Sequence, residues 1–199
     1  MFGLFKKKDS PPENHWKQFE GKGDADEVLI EKAKLLAVVL ADWTHTGAKH
    51  IIDSLQKDLT RDLKPEFGQV FFETILFYLH YTDRLASGYL SAEQRSVFSD
   101  ALVAAMADVL QEAQPSEQGK DEFRLIFASM YNERQIEYGK YKMTEEKNGG
   151  LANTLFWEFE KKIIKILGFD QDIMAMMTVH ANITTALKYL AIQSLFETK

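Results

Sequence analysis

The sequence contains no cysteine, and this absence excludes several kinds of chemistry. Without thiols the chain has no disulfides, thiolate zinc sites, cysteine-ligated iron–sulfur clusters or cysteine nucleophile. A chain without disulfides fits a reducing compartment such as the cytoplasm. No run of 18 or more apolar residues occurs either, so the sequence predicts no membrane-spanning helix.

Glycine and proline are also scarce, with 11 and 4 examples among 199 residues. So few helix-breaking residues disfavour a fold with many turns and favour long helices. The length suits a single domain. The net charge is −6, and the body of the chain lacks the basic stripe of a general nucleic-acid binder, so we expect no nucleic-acid partner.

The motifs of common enzyme classes are missing as well. The chain has no Glu-x-x-His pair, which carboxylate di-iron bundles need on each of two helices. It has no HExxH, no P-loop, no dinucleotide-binding glycine pattern and no Gly-x-Ser-x-Gly. We therefore expect a protein that binds a protein partner and is not an enzyme, with no cofactor and no metal site.

Apolar residues recur at spacings of three and four along most of the chain, without an alternating strand pattern. These spacings predict an all-α fold: a single bundle of six or seven helices over residues 26–199, behind a flexible tail and linker over residues 1–25. Ser91 and Gln94 form a predicted capping box, and Gly168 is a predicted C-terminal stop. The predicted helices run from Asp24 or Asp26 to about Thr46, over Ile51 to Leu59, from Pro65 to just before Gly88, from Ser91 to before Pro115, from about Ser116 to Lys142, from about Leu155 to Leu167, and from Asp170 nearly to the end.

The third predicted helix carries a polar stripe of Glu73, His80, Asp83 and Arg84 on an otherwise apolar surface. Because apolar residues fill more than half of its circumference, we expect this helix and the last one to form the centre of the bundle. The favoured interpretation of the stripe is a narrow face toward solvent. The alternative is the floor of a cleft, in which His80 titrates between a carboxylate and a guanidinium.

Two further groups of polar residues are candidates for binding. Arg134 and Tyr138 lie in the segment YNERQIEYGKY of the fifth helix. The favoured interpretation of this segment is an exposed helix end with ordinary ion pairs, and the alternative is a partner surface or the rim of a pocket. His180 lies in the middle of the apolar arc of the last helix. We expect a core histidine bonded to Thr184 or to a backbone carbonyl, and the alternative is a ligand or metal contact inside the bundle.

The N-terminal segment MFGLFKKK places three apolar residues before three lysines. Its apolar run is too short for a secretory signal. It is either an ordinary terminus or a weak contact with an anionic membrane surface, in which each lysine contributes about 1 kcal/mol. The residues of this predicted contact are Phe2, Leu4, Phe5, Lys6, Lys7 and Lys8.

These observations favour a soluble, cytoplasmic, non-catalytic interaction or adaptor module, with weak peripheral contact at the inner membrane face through its N-terminus. The alternative is a helical bundle that binds a small molecule or a metal, with or without catalysis, through His80, His180 and nearby carboxylates. The two interpretations differ in geometry. The alternative needs both histidines to approach one another across a single cavity.

Overall fold

The computed structural model of the chain describes residues 16–57, 62–113, 119–143, 153–170 and 172–197. Within these ranges the chain is helical and has no strand, apart from one isolated bridge between Lys142 and Thr154. The prediction of an all-α bundle is confirmed. The predicted membrane contact over residues 2–8 lies outside the described residues. The helices are α1 (Asp26–Gln56), α2 (Phe67–Ala86), α3 (Ala92–Ala113), α4 (Lys120–Tyr138), α5 (Leu155–Ile166), α6 (Ile173–Leu190) and the short α7 (Ile192–Glu197).

Helix α1 is continuous where the sequence predicted two helices separated at Gly47. A glycine inside a helix costs only about 1 kcal/mol relative to alanine. The residues on either side of Gly47, from Thr44 to Ile52, contribute several buried side chains to the core, so tertiary packing outweighs the local preference. Leu59, the last apolar residue of the predicted second helix, lies outside the described residues.

Local capping signals predicted some helix ends correctly. The Ser91 hydroxyl accepts from the Gln94 amide at 3.2 Å, and the Gln94 side chain accepts from the Ser91 amide at 3.1 Å, which is the predicted capping box. Gly168 follows α5 with φ of +72°, in the left-handed region that glycine adopts without strain. The cap of α6 was predicted at Asp170 but is Asp172, whose carboxylate accepts from the Ala175 amide at 3.0 Å.

Helix α2 lies at the centre of the bundle, with 13 of its 20 residues buried. It packs against α1, α3, α4, α5 and α7. The prediction that the last helix shares this central position was wrong. Helix α6 packs one face against α1 and α5, and its opposite face is exposed. Its apolar arc is wide because apolar side chains also occupy the exposed face.

The ring of Phe77 on α2 is fully buried in the centre of an aromatic cluster. Its centroid lies 4.2 Å from that of Phe159, 5.4 Å from Phe156 and 6.3 Å from Tyr138. This cluster joins α2 to α4 and α5, because each of the three partner rings belongs to one of those helices.

We expect Phe77→Ala to lower the free energy of unfolding by about 3–5 kcal/mol, through lost burial and the cavity left behind. Urea denaturation followed by circular dichroism measures this change. The control is Leu125→Ala on the exposed side of α4, where the expected change stays within about 0.5 kcal/mol. Similar losses in both variants would contradict the placement of the core.

Candidate functional site

The polar stripe of α2 is buried, so the favoured interpretation of a face toward solvent was wrong. Glu73, His80 and Asp83 are only 5%, 2% and 7% exposed, and Arg84 is half-buried. Helices α3 and α4 cover the stripe and supply its partners. A buried polar group without a partner costs free energy, so each of these side chains requires a partner on another part of the chain.

Glu73 is the centre of an ion-pair cluster between α2, α4 and α5. Nε and Nη2 of Arg134 each donate to its carboxylate at 3.0 Å, and the Tyr138 hydroxyl donates to the same group. Lys162 of α5 lies 3.6 Å from Glu73 and 2.6 Å from Glu137, which also pairs with Arg134 at 3.1 Å. Two carboxylates and two cations thus neutralise one another within the cluster.

The sequence placed Arg134 and Tyr138 at an exposed helix end, and the structure brings both to the buried carboxylate. Tyr138 is fully buried, and burial raises the pKa of its hydroxyl well above the ordinary value, with the Glu73 charge adding to the effect. The hydroxyl therefore stays protonated and remains a hydrogen-bond donor to Glu73.

A surface cleft of about 550 Å³ lies beside this cluster. Phe72, Leu76, Met130 and Ile166 contribute apolar surface to it, and its polar lining includes Glu73, Arg134 and Lys162. The volume falls within the range of small-molecule sites. The charged groups in the lining already pair with one another, so the cleft presents no uncompensated charge from this cluster.

His80 is fixed by a relay of side chains from α4. Its Nδ1 pairs with the Gln135 side-chain oxygen, and the Gln135 amide nitrogen donates to the Tyr131 hydroxyl. An amide oxygen only accepts, so Nδ1 carries the hydrogen and a neutral imidazole has its lone pair on Nε2. That Nε2 atom is buried and has no hydrogen-bond partner among the described residues.

Several groups act on the pKa of His80, which lies below its ordinary value of 6.5. Burial is the largest cause, since it disfavours the charged ring. The bond to Gln135 and the charge of Asp83 act in the opposite direction, and the charges of Arg84 and Arg95 lower the pKa further. His80 is therefore neutral at pH 7.

Asp83 joins α2 to α3 through a bidentate pair. Nε of Arg95 donates to it at 2.9 Å, Nη2 of Arg95 donates to the second oxygen, and the Ser99 hydroxyl donates at 2.7 Å. Burial alone would raise the pKa of Asp83, but these hydrogen bonds together outweigh it and hold the pKa below its ordinary value. Arg84 points elsewhere, because its Nη1 donates to the backbone carbonyl of Tyr141 at 2.5 Å.

His180 is not the core histidine that the sequence predicted. Its side chain is 40% exposed, and its Nδ1 lies 2.6 Å from Oε1 of the buried Glu160 on α5. The Thr184 hydroxyl bonds to the backbone carbonyl of His180 and not to its ring. Burial raises the pKa of the Glu160 carboxyl, and the bond to His180 offsets only part of that effect.

The two histidines do not converge on one cavity. The centroid of the His80 ring lies 5.6 Å from that of Tyr138, and the centroid of the His180 ring lies 6.3 Å from that of Phe156. Phe77 contacts both of those intervening rings.

In the part of the chain that the structure describes, no group of three or more His, Asp or Glu side chains is placed to hold a metal ion. None of the described helices is long and apolar enough to cross a membrane.

The exposed face of α6 is a feature that sequence reasoning missed. Ile173, Met174 and Met177 are 65%, 71% and 60% exposed, and Ala181 and Thr185 continue the exposed face. No Asp, Glu, Lys or Arg occurs between residues 173 and 187. The adjacent pair Ile173 and Met174 was the available signal, because two neighbouring residues of a helix cannot share one narrow buried face.

A second cleft, of about 700 Å³, adjoins the N-terminal end of α6. Trp157, Ile164, Ile173 and Met176 contribute apolar surface between α5 and α6. Charged residues of both signs also line it, namely Glu137, Glu158, Asp170, Lys161, Lys162 and Lys165. Ile173 belongs to both features, so the exposed face of α6 adjoins this cleft.

Comparison with known proteins identifies no relative. The chain matches no protein-family model, and comparisons with curated proteins and with solved structures find no significant match.

We expect Asp83→Asn to lower the free energy of unfolding at pH 7 by about 1–3 kcal/mol, because it weakens charge-assisted hydrogen bonds to a buried carboxylate. The folded-state pKa of Asp83 lies below 3.8, so its contribution is complete above that pH and is lost as the pH falls through the folded pKa. The difference in free energy of unfolding between Asp83→Asn and the parent should therefore become smaller at acidic pH. Urea titrations at several pH values measure it.

The matched control is Asp108→Asn, which removes a bidentate pair with Arg124 between α3 and α4. The two arginines are almost equally exposed, but the Asp108 side chain is more exposed than that of Asp83. A surface pair contributes only about 0–1 kcal/mol, so this variant should lose less. Equal losses would show that burial of Asp83 contributes nothing.

We expect the free energy of unfolding of His80→Asn to depend less on pH just below neutrality than that of the parent. Asn is chosen because its amide nitrogen can donate the hydrogen bond that Nδ1 donates in the parent. The folded-state pKa of His80 lies below 6.5, so the unfolded chain takes up the proton first as the pH falls. The parent therefore loses stability from 6.5 down to the folded pKa. His50→Asn, at an exposed position of α1, is the control, and an unchanged slope in His80→Asn would contradict the assignment.

Proposed function

We propose that this protein is a non-catalytic interaction module that binds a partner protein through the exposed face of α6 and the cleft at its N-terminal end. The exposure of Ile173, Met174 and Met177 is the observation that carries the proposal. Contiguous exposed apolar surface is a mark of interaction sites. Methionine suits such a surface, because its flexible and polarisable side chain adapts to partners of different shape.

The apolar face of an amphipathic helix is the partner chemistry that best fits this surface. Helix α6 has 18 residues and is therefore about 27 Å long, which matches about five turns of a partner helix. The cleft supplies a pocket for one or two large side chains at one end. Its charged lining has both signs, since Lys161 pairs with Glu158 at 2.8 Å and Lys165 and Asp170 also line the cleft, and this lining would fix the orientation of the partner.

A comparison with α4 supports the choice of α6. Leu125, Ile126 and Ile136 of α4 are also exposed, but Arg124 directly precedes the first two, and the exposed Glu133 lies between them and Ile136. Single exposed apolar residues are ordinary on protein surfaces. The α6 face differs because no Asp, Glu, Lys or Arg occurs from residue 173 to residue 187.

The hydrogen bonds and ion pairs of the polar residues on α2 favour a structural role for these residues. Glu73, Asp83 and His80 each have a partner on α3 or α4, and the charges of the Glu73 cluster cancel. A catalytic site needs a polar group directed at substrate, and in this network the charged groups are directed at one another.

Binding of a small molecule is the second candidate function, and the cleft of about 550 Å³ beside Glu73 favours it. A small molecule in this cleft would contact Glu73 and Arg134, and it would contact neither of the histidines that the sequence suggested. Native mass spectrometry of the protein purified from its host tests it. A bound species that is lost in Phe72→Glu, at the half-buried cleft wall, and kept in Leu125→Glu would support this function over the first.

The cytoplasm is the location that we propose, and weak contact of residues 1–8 with an anionic membrane surface remains part of the proposal. Three lysines near such a surface contribute about 3 kcal/mol, which salt would weaken. Co-sedimentation with anionic and neutral vesicles, compared between the full chain and a chain with Lys6, Lys7 and Lys8 changed to Ser, tests the contact.

Site-specific photo-crosslinking tests the main proposal. A photoreactive amino acid at Met177 should capture a partner in host cells, and the same group at the exposed Ala104 of α3 should not. With the purified partner, Met177→Glu should raise Kd at least about tenfold, a loss of about 1.4 kcal/mol. Leu125→Glu makes the same change on α4 and should leave Kd unaltered. Equal effects of the two substitutions would contradict the proposed surface.

A further inference from the structure

We propose that residues 2–8 of the same chain dock on the exposed face of α6 and in its cleft, so that an external partner must displace them. This inference deepens the proposed function, and its regulatory meaning rests on that function. The occupant is thus a named segment of this chain, Phe2 to Lys8, hereafter the N-terminal segment.

The position of Trp16 places the start of the described chain at the C-terminal end of α6. Trp16 is buried, and its indole Nε1 donates to the backbone carbonyl of Leu190 at 3.1 Å. Phe19 is buried one turn later. The chain that precedes Trp16 is therefore tethered at one end of the α6 helix, beside the last residue of that helix.

The tether is long enough for the N-terminal segment to reach the other end of α6. The helix spans 18 residues, or about 27 Å. Lys8 precedes Trp16 by 8 residues, which reach about 26 Å when extended at about 3.3 Å per residue. Phe2 precedes Trp16 by 14 residues and reaches about 46 Å. The lysines can therefore lie near the N-terminal end of α6 while the apolar residues reach the cleft beyond it.

The chemistry of the segment matches the surface at that end of α6. Asp170 and Asp172 are both exposed there, and they would face the three lysines. The positive N-terminal end of the helix dipole repels lysine, and the two carboxylates nearby offset that repulsion. Beyond the aspartates, the half-buried Trp157 and the exposed Ile173 give the cleft apolar surface for the phenylalanine rings, and Lys161 and Lys162 of its lining pair with Glu158 and Glu137.

The chain between this segment and Trp16, residues 9–15, would run along the uncharged middle of α6. Tethering to the same chain makes this contact intramolecular, so weak individual contacts suffice because the effective concentration is high. A second copy of the chain lacks this advantage, and both copies carry the same net charge of −6. The tether and the charge pattern thus favour the N-terminal segment as the occupant.

Oxidation of methionine by hydrogen peroxide tests the docking on the full chain. Met174 and Met177 are exposed in the described structure, so coverage by the segment should slow their conversion to sulfoxide. Peptide mass spectrometry measures the rate at each site, with the half-buried Met143 as an internal reference. The comparison is between the native chain and a full-length apolar-to-serine variant, F2S/L4S/F5S.

Docking predicts that Met174 and Met177 oxidise at least about fivefold more slowly in the native chain than in the variant, if the segment is bound most of the time. Met143 should oxidise at the same rate in both chains. Equal rates at Met174 and Met177 overturn the proposal. Protection that grows with protein concentration also overturns it, since that result assigns the face to a second copy.

A charge exchange tests the placement of the lysines. K6E/K7E/K8E should abolish the protection of Met174 and Met177, and adding Asp170→Lys should restore it. Glu133→Lys makes the same change at an exposed position of α4 and should restore nothing. Unchanged protection in K6E/K7E/K8E, or rescue by Glu133→Lys as strong as by Asp170→Lys, overturns the proposed pairing.

The oxidation assay contains no partner, so its outcome is separate from that of the proposed function. Equal oxidation rates would contradict the docking but would not affect the proposal of partner binding, which the crosslinking tests. Protection of the methionines without any crosslink at Met177 would contradict partner binding but not the docking. Where both hold, F2S/L4S/F5S should bind the purified partner more tightly by the same factor of about five, because the competing occupant is removed.

Discussion

A polar stripe on a central helix is the constraint on which the rest of this structure depends. Helix α2 is enclosed by five other helices, and it nevertheless carries Glu73, His80 and Asp83 in buried positions. Burying a charge without a partner costs several kcal/mol, so the bundle closes only in an arrangement that brings Arg134 to Glu73 and Arg95 to Asp83. The neighbouring helices α3 and α4 are positioned by this demand.

These pairs specify an arrangement more than they add stability, since a buried ion pair roughly balances its own desolvation. Rotation of α4 would take Arg134 and Gln135 away from Glu73 and His80 together, because both residues lie on one turn. Lys162 extends the same cluster to α5. The Glu73 cluster thus sets the position of α5, and α5 in turn forms one wall of the cleft at the N-terminal end of α6.

Much of the fold could be predicted from the sequence because helix periodicity and end signals are local. The Ser91 and Gln94 capping box and the Gly168 stop involve residues within one turn. Burial of the stripe and the Glu160 pair of His180 could not be predicted, because periodicity tells which residues share a face and not which element covers it. The same limitation placed α6 in the centre, because an exposed apolar face has the same period along the sequence as a buried one.

The two halves of the bundle differ in how well their side chains are paired or covered. Around α2, charged groups pair with one another, and the ring of Phe77 at the centre of the aromatic cluster is fully buried. On α6, adjacent apolar side chains meet water over a stretch without a charged residue. Exposed apolar surface of this kind favours association, while a net charge of −6 keeps copies of the chain apart. We therefore propose that binding occurs at the periphery of the bundle, where the α2 network would hold the proposed surface in place.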